Sequence, residues 1–136
     1  MLRISFRFDK DFDLSARDPF GDFTIFDGSK ELQVKNEFID FCFAALVDGC
    51  KRLSTAKQVR ESLGEAEFPL VIETMPGGDI RISFGNQTVR ADTLEALEAA
   101  VRGATESFLD FIKNLPDFDE NDFPRLLQQY SDWKHE

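Results

Sequence analysis

The chain has 136 residues, 42% of them apolar and 31% charged, a composition typical of one globular domain spanning residues 1–136. Its net charge of -10 argues against nucleic-acid binding, and no apolar run is long enough to cross a membrane. The first residues show no secretory signal, so we expect a cytoplasmic protein.

The first half of the chain predicts three strands. Apolar residues alternate from Leu2 to Phe8, as in a strand with one buried face. Residues Asp9–Asp22 lack periodicity and predict a loop, after which Phe23–Phe26 forms a second strand. An Asp-Gly turn at 27–29 then leads to a short third strand at 32–34.

A helix is predicted next, with Asn36 as its N-cap and its end near Leu53. Apolar side chains surround this helix almost completely, which predicts burial between a sheet and other helices. The alternative is that one of its faces is an interface with a second copy or another partner. Cys42 and Cys50 lie about 12 Å apart along it, too far for a disulfide, so both are expected to be buried, reduced thiols.

The second half predicts a three-stranded meander. Ser54–Glu67 has little periodicity and is interpreted as a surface connection. Strands are predicted at 70–73, 80–84 and 87–91, and the signals for the two turns between them are Met-Pro-Gly-Gly-Asp and Gly-Asn.

A long amphipathic helix follows, with Asp92 and Glu95 as its predicted capping box and Pro116 as its stop. Its predicted inward residues are Leu94, Leu97, Val101, Ala104, Phe108, Phe111 and Leu115. A short last helix is expected from about Asp122, and Lys134–Glu136 is expected to fray. The order βββα-βββα predicts an α+β fold: one antiparallel sheet of about six strands, two long helices covering it, and the short C-terminal helix.

Catalytic patterns are weak in this sequence. The one histidine, His135, lies next to the C-terminus, where a general base would be poorly positioned. Without a second histidine, Ser-His and Cys-His nucleophiles have no credible base. We therefore expect a protein that is not an enzyme and uses no cofactor, although an enzyme or small-ligand domain with an acidic pocket stays open as an alternative.

Two acidic loops approach the spacing of a calcium-binding loop. Asp9, Asp11 and Asp13 have its opening pattern, and residues 117–121 nearly repeat it. Both loops lack the glycine at the sixth position and the glutamate at the twelfth that such a loop requires. No metal site is therefore predicted, and weak cation binding is left open.

The charge is concentrated near the C-terminus. Residues 92–136 contain eleven acids and four bases, so they carry -7 of the total -10. Acids interleaved with aromatic residues suit a surface that steers a basic protein in and then anchors it through apolar contact. The alternative is a solvated acidic face whose phenylalanines fill the core.

The densest acidic stretch is the first candidate for partner binding. Its predicted ion-pairing groups are Asp117, Asp119, Glu120 and Asp122, and its predicted anchors are Phe118 and Phe123. The second candidate is the loop with Asp9, Asp11 and Asp13.

Four segments together give the chain a family resemblance: Phe6–Asp9, Arg17–Phe23, Arg81–Gly85 and the helix Leu94–Phe111. In them the chain resembles the immunity proteins of bacterial polymorphic-toxin and contact-dependent growth-inhibition systems. The resemblance implies a cytoplasmic inhibitor that binds one cognate toxin, often a nuclease, and occludes its active site. Acidic residues suit such a target because a nuclease presents a basic groove. The alternative function is a structural or adaptor protein that forms a homodimer through its Phe-rich first helix.

Overall fold

The computed structural model describes residues 2–9, 19–64, 66–119, 121 and 124–135, with the backbone alone at 124 and 125. Within these ranges the chain forms seven strands and three helices, an α+β fold as predicted. In order they are β1 (Arg3–Phe8), β2 (Phe20–Phe26), β3 (Glu31–Phe38), α1 (Ile39–Leu53), β4 (Gln58–Glu61), β5 (Leu70–Thr74), β6 (Ile80–Phe84), β7 (Gln87–Ala91), α2 (Leu94–Lys113) and α3 (Pro124–Lys134).

The strands form two antiparallel sheets, one ordered β1-β2-β3 and the other β4-β5-β6-β7. The prediction of a single sheet of about six strands is therefore wrong. The additional strand, β4, lies in the segment that was interpreted as a surface connection. Val59 and Glu61 are buried while Gln58 and Arg60 are exposed. This alternation is only four residues long and places a glutamate inward, so the hydrophobic pattern does not reveal it.

Side chains join the two sheets where their edge strands β3 and β7 meet. The Gln87 amide accepts a hydrogen bond from the backbone N–H of Gln33 at 2.8 Å and donates one to its carbonyl at 2.9 Å. Asp27, in the β2–β3 turn, accepts from the backbone N–H groups of Ser29, Lys30 and Arg90, the last in β7. These hydrogen bonds lower the pKa of the Asp27 carboxyl, and the one from Lys30 has the largest effect. The two edge strands are thus linked without a shared backbone ladder.

Asn36 belongs to β3 and is not a helix cap, which corrects the predicted helix start. Asp22 in β2 lies opposite both Lys35 and Asn36, which is a β-bulge. Asn36 has a φ of 57°, a conformation that asparagine tolerates, and its N–H donates to Asp22 Oδ1. The helix begins three residues later with no side-chain cap, and the N–H of Ile39 donates to the carbonyl of Pro19.

Helix α1 is central, as its sequence predicted. It contacts strands of both sheets and both other helices. Its buried residues are Ile39, Cys42, Phe43, Ala44, Ala45, Leu46, Val47, Gly49, Cys50 and Leu53. Phe41 is the one large apolar residue within 39–53 that is well exposed. The helix therefore offers little free apolar surface for the homodimer that its sequence also allowed.

Helix α2 begins with a different cap from the predicted one. Thr93 is the N-cap, and its hydroxyl accepts a hydrogen bond from the N–H of Ala96 at 3.0 Å, so Asp92 and Glu95 do not form the capping box. Phe111, predicted to face inward, is 42% exposed. Helix α3 includes Lys134, which had been assigned to a fraying tail. None of the helices in the described ranges is long and apolar enough to span a membrane.

Phenylalanine rings form the center of the core. Phe43 of α1 stacks on Phe108 of α2 with ring centroids 4.9 Å apart, and Phe23 of β2 meets Phe43 edge to face at 5.2 Å. Phe6 of β1 contacts Phe108 in the same way at 5.3 Å. These rings bury large apolar areas without hydroxyl groups that would need hydrogen-bond partners, which accounts for much of the high phenylalanine content.

Candidate partner-binding surface

Strand β1 and helix α2 meet at their C-terminal ends through an aromatic pair. The rings of Phe8 and Phe111 stack with centroids 5.0 Å apart and an interplanar angle of 25°. Phe6 lies behind the pair, 5.6 Å from Phe8 and 6.3 Å from Phe111. Phe8 is half-buried, whereas Phe111 leaves 42% of its surface in solvent. The pair therefore presents an exposed aromatic face that packing against Phe6 holds in place.

Acidic residues flank this pair on both of its chain segments. Asp9 directly follows Phe8, and the exposed Asp110 directly precedes Phe111. The chain after α2 turns tightly, since the N–H of Phe118 donates to the carbonyl of Leu115, and it carries the exposed Asp117 and Asp119. We call Phe8, Asp9, Asp110, Phe111, Asp117 and Asp119, which lie at or shortly after the C-terminal ends of β1 and α2, the acidic aromatic end.

The structure places four of the predicted site residues. Asp9 is half-buried, and its N–H donates to the carbonyl of Phe20, so β1 and β2 fix its backbone. Asp119 accepts a hydrogen bond from the N–H of Asn121, which forms a local turn. Phe118 packs partly into the core. The other predicted site residues, Asp11, Asp13, Glu120, Asp122 and Phe123, lie outside the described residues.

The sequence reasoning missed the aromatic half of this surface. Both Phe8 and Phe111 follow the hydrophobic period of their elements, and they were assigned to the core for that reason. Phe111 lies three residues after Phe108, at the border of the apolar stripe of α2. That border position, next to an acidic residue, was the available signal of exposure.

A polar groove of about 380 Å³ separates α2 from α3 beside the acidic aromatic end. The Tyr130 hydroxyl donates to Glu106 Oε1 at 2.7 Å, and the Lys134 ammonium lies 3.3 Å from the same oxygen. These two partners, Tyr130 first, lower the pKa of Glu106, while burial and then Glu106 raise the pKa of Tyr130. The network fixes α3 against α2, and Asp110, which directly precedes Phe111 in the chain, lines the groove.

Groups with catalytic or metal-binding chemistry are sparse in the part of the chain that the structure describes. His135 lines the groove, and its N–H donates to the Ser131 carbonyl. Both cysteines are buried free thiols, as predicted. Burial raises the pKa of Cys42 and raises that of Cys50 to about 12, which makes either a poor nucleophile. Within the described ranges, no group of three or more His, Cys, Asp or Glu is placed to hold a metal ion.

No protein-family model, no curated protein and no solved structure matches this chain. The acidic aromatic end therefore has to be interpreted from its own chemistry. Its carboxylates can pair with basic side chains, and the Phe111 ring can be covered by an apolar or cationic group of a partner.

Proposed function

We propose that this protein is an immunity-type inhibitor that binds a basic toxin domain through its acidic aromatic end and occludes the toxin's active-site groove. The observation that supports this proposal most is the exposed Phe111 ring stacked on Phe8, with Asp9 following Phe8 and Asp110 preceding Phe111 in the chain. Two acidic stretches that are about 100 residues apart in the sequence flank one aromatic pair.

The two kinds of side chain serve different steps of binding. Carboxylates at Asp110, Asp117 and Asp119 attract a basic surface over a Debye length of about 8 Å at physiological salt and so speed association. The Phe111 ring loses its water in the complex and slows dissociation, as aromatic anchors do at interface centers. A nuclease fits this chemistry because its groove for nucleic acid is positively charged. Such an inhibitor needs no catalytic group of its own.

The test is affinity capture with the full-length chain, using source-organism lysate and the product of the adjacent gene, followed by a nuclease assay. We expect recovery of one basic protein whose activity disappears at one equivalent of inhibitor. Failure to recover a partner at any salt concentration, or recovery of a protein that stays active at one equivalent, contradicts the proposal.

Matched variants then locate the interface by their binding kinetics. Asp110→Lys should slow association by about tenfold at low salt, with a smaller effect at high salt, because it removes steering charge. Phe111→Ser should instead speed dissociation by about tenfold or more. The controls are Glu31→Lys and Phe26→Ser, since both residues are exposed and belong to other surfaces. Equal effects from the controls would place the interface elsewhere.

A further inference from the structure

Another exposed aromatic residue, Phe68, lies against elements other than those of the acidic aromatic end. It precedes β5 and borders a groove of about 490 Å³ formed with β3, β6 and β7. The groove is lined in part by Gln33, Ala66 and Phe84. Phe68 is 43% exposed, the highest value for any large apolar side chain in the described ranges. We call this feature the Phe68 groove.

The fold holds the Phe68 ring in a defined place although it is exposed. The ring meets Phe84 edge to face with centroids 5.9 Å apart. It also lies against the β6–β7 turn, where Gly85 has a φ of 61° and an added Cβ would come within 2.9 Å of the ring. A glycine at this turn thus provides both the left-handed conformation and the room for the ring. A ring fixed in this way loses little conformational entropy when a partner covers it.

Two charged side chains of opposite sign line the same groove. Lys35 projects from β3 and Glu67 directly precedes Phe68, and both are exposed. In the described part of the chain neither has an ion-pair partner within 4.0 Å, whereas Arg7, Arg52, Arg81 and Arg90 are all paired. Among the residues that the structure describes, the groove therefore combines an apolar ring with one free cation and one free anion.

We propose that the Phe68 groove is an interface with a second copy of this chain. A twofold axis brings each Phe68 ring to the groove of the other copy and each Lys35 to the other Glu67, so the surface complements itself. Because Lys35 and Glu67 together carry no net charge, they do not favour a strongly basic or a strongly acidic partner. Two chains of charge -10 repel each other, and the Lys35–Glu67 pairs let them meet at this groove without adding like charges to the contact.

This interface does not depend on the proposed toxin binding. The acidic aromatic end is built from β1, α2 and the turn after α2, whereas the Phe68 groove uses β3, β6, β7 and the segment before β5. A dimer joined at the groove therefore leaves both acidic aromatic ends free. Variants at Asp110 and Phe111 should leave the dimer unchanged.

The test measures mass against concentration by sedimentation velocity and light scattering on the full chain. The wild type should change from 15.5 kDa to twice that mass as concentration rises into the micromolar range. Lys35→Glu and Glu67→Lys should each weaken the dimer by about tenfold or more, because each leaves like charges facing across the axis. The double variant with both changes should restore it, since the pairs are exchanged and not lost.

Phe68→Ser should weaken the dimer by a similar factor, with Phe26→Ser as the matched control at an exposed ring in β2. Circular dichroism checks that each exposed-site variant remains folded. A chain that stays at 15.5 kDa up to about 1 mM, the upper end of the range in which a specific dimer would be detected, overturns the proposal. The proposal is also overturned if the dimer persists in Lys35→Glu or Glu67→Lys. It is overturned as well if the double variant does not restore the dimer.

Discussion

Helices α1 and α2 are both rich in apolar residues, but the rest of the chain covers them to different extents. Helix α1 contacts both sheets and both other helices, and it begins without a side-chain cap. Helix α2 contacts α1, β1 and β7 and binds α3 through side chains such as Glu106, but it begins with the Thr93 cap and leaves Gly103, Glu106, Asp110 and Phe111 exposed. Packing against the rest of the fold stabilises α1, whereas α2 has the N-cap and the exposed face that are typical of a surface helix.

The comparison shows that phenylalanine content alone does not identify a binding surface. Phe43 of α1 and Phe108 of α2 are completely buried and stack on each other, while Phe111, one turn further along α2, is 42% exposed. The same residue type therefore contributes to stability at one position and is available for recognition at another. Predictions that contrast the two helices test this division directly.

The largest contrast is expected for the two helices' aromatic rings. Phe43→Ala should lower the free energy of unfolding by about 3–5 kcal/mol, because it leaves a cavity between Phe6, Phe23 and Phe108. Phe111→Ala should cost less than about 1.5 kcal/mol, since much of its ring is already in solvent. Urea unfolding with a constant m-value measures both. Similar losses would mean that Phe111 is a core residue and not an anchor.

The second contrast is the pH dependence of two glutamates. Glu61 in β4 is buried against α1, where it accepts a hydrogen bond from Arg52, itself 3.7 Å from Asp48. Burial first, and then the hydrogen bond with Asp48, raise the pKa of Glu61 from 4.5 to about 7 against the effect of Arg52. The folded state thus holds this proton more tightly than the unfolded chain does.

Through this residue, the free energy of unfolding should fall by up to about 3 kcal/mol as the pH rises from about 4.5 to about 7, and then level off. Relative to wild type, Glu61→Gln should become more stable between pH 5.5 and pH 8 in urea unfolding. Glu106→Gln in α2 is the control of opposite sign, and its effect is measured as the pH falls through 4.5 and below. The lowered pKa of Glu106 stabilises the fold above its unfolded pKa, and this contribution is lost as the pH falls. If the difference in the free energy of unfolding between Glu61→Gln and the wild type did not change with pH, the raised pKa of the buried Glu61 carboxyl would be contradicted.

Local signals predicted the three-stranded meander of the second half well. Alternation and turn residues located β5, β6 and β7, and the Gly-Asn turn joins Phe84 to Gln87 as expected. Strand β4 and the end of β3 depend on partners distant in sequence. Arg52 pairs with the buried Glu61, and Asp22 binds the backbone at Asn36. No periodicity in the sequence reports such contacts.

The candidate site was predictable in charge but not in shape. The acidic runs are visible in the sequence, and Asp117 and Asp119 are exposed as that prediction required. The sequence signals exposure only through the border position of Phe111, and the stacking of Phe111 on the half-buried Phe8 depends on how β1 meets the end of α2. The break between the two sheets was equally hidden, since the side chains of Gln87 and Asp27 bridge it from distant positions.

The smallest expected contrast concerns one glycine in each helix. Gly103→Ala in α2 should raise the free energy of unfolding by about 1 kcal/mol, because alanine favours the helix and its Cβ would meet nothing within 4 Å. At Gly49 in α1 an added Cβ would lie 2.6 Å from Ile72 Cδ1 and 3.7 Å from Val59 Cγ2. Ile72 is fully buried and has little room to move, so this overlap should cancel the gain or exceed it. Thermal and urea unfolding of the two variants give the comparison. An equal gain at both positions would show that the second sheet does not cover α1 closely, and the contrast between the helices would then be one of sequence alone.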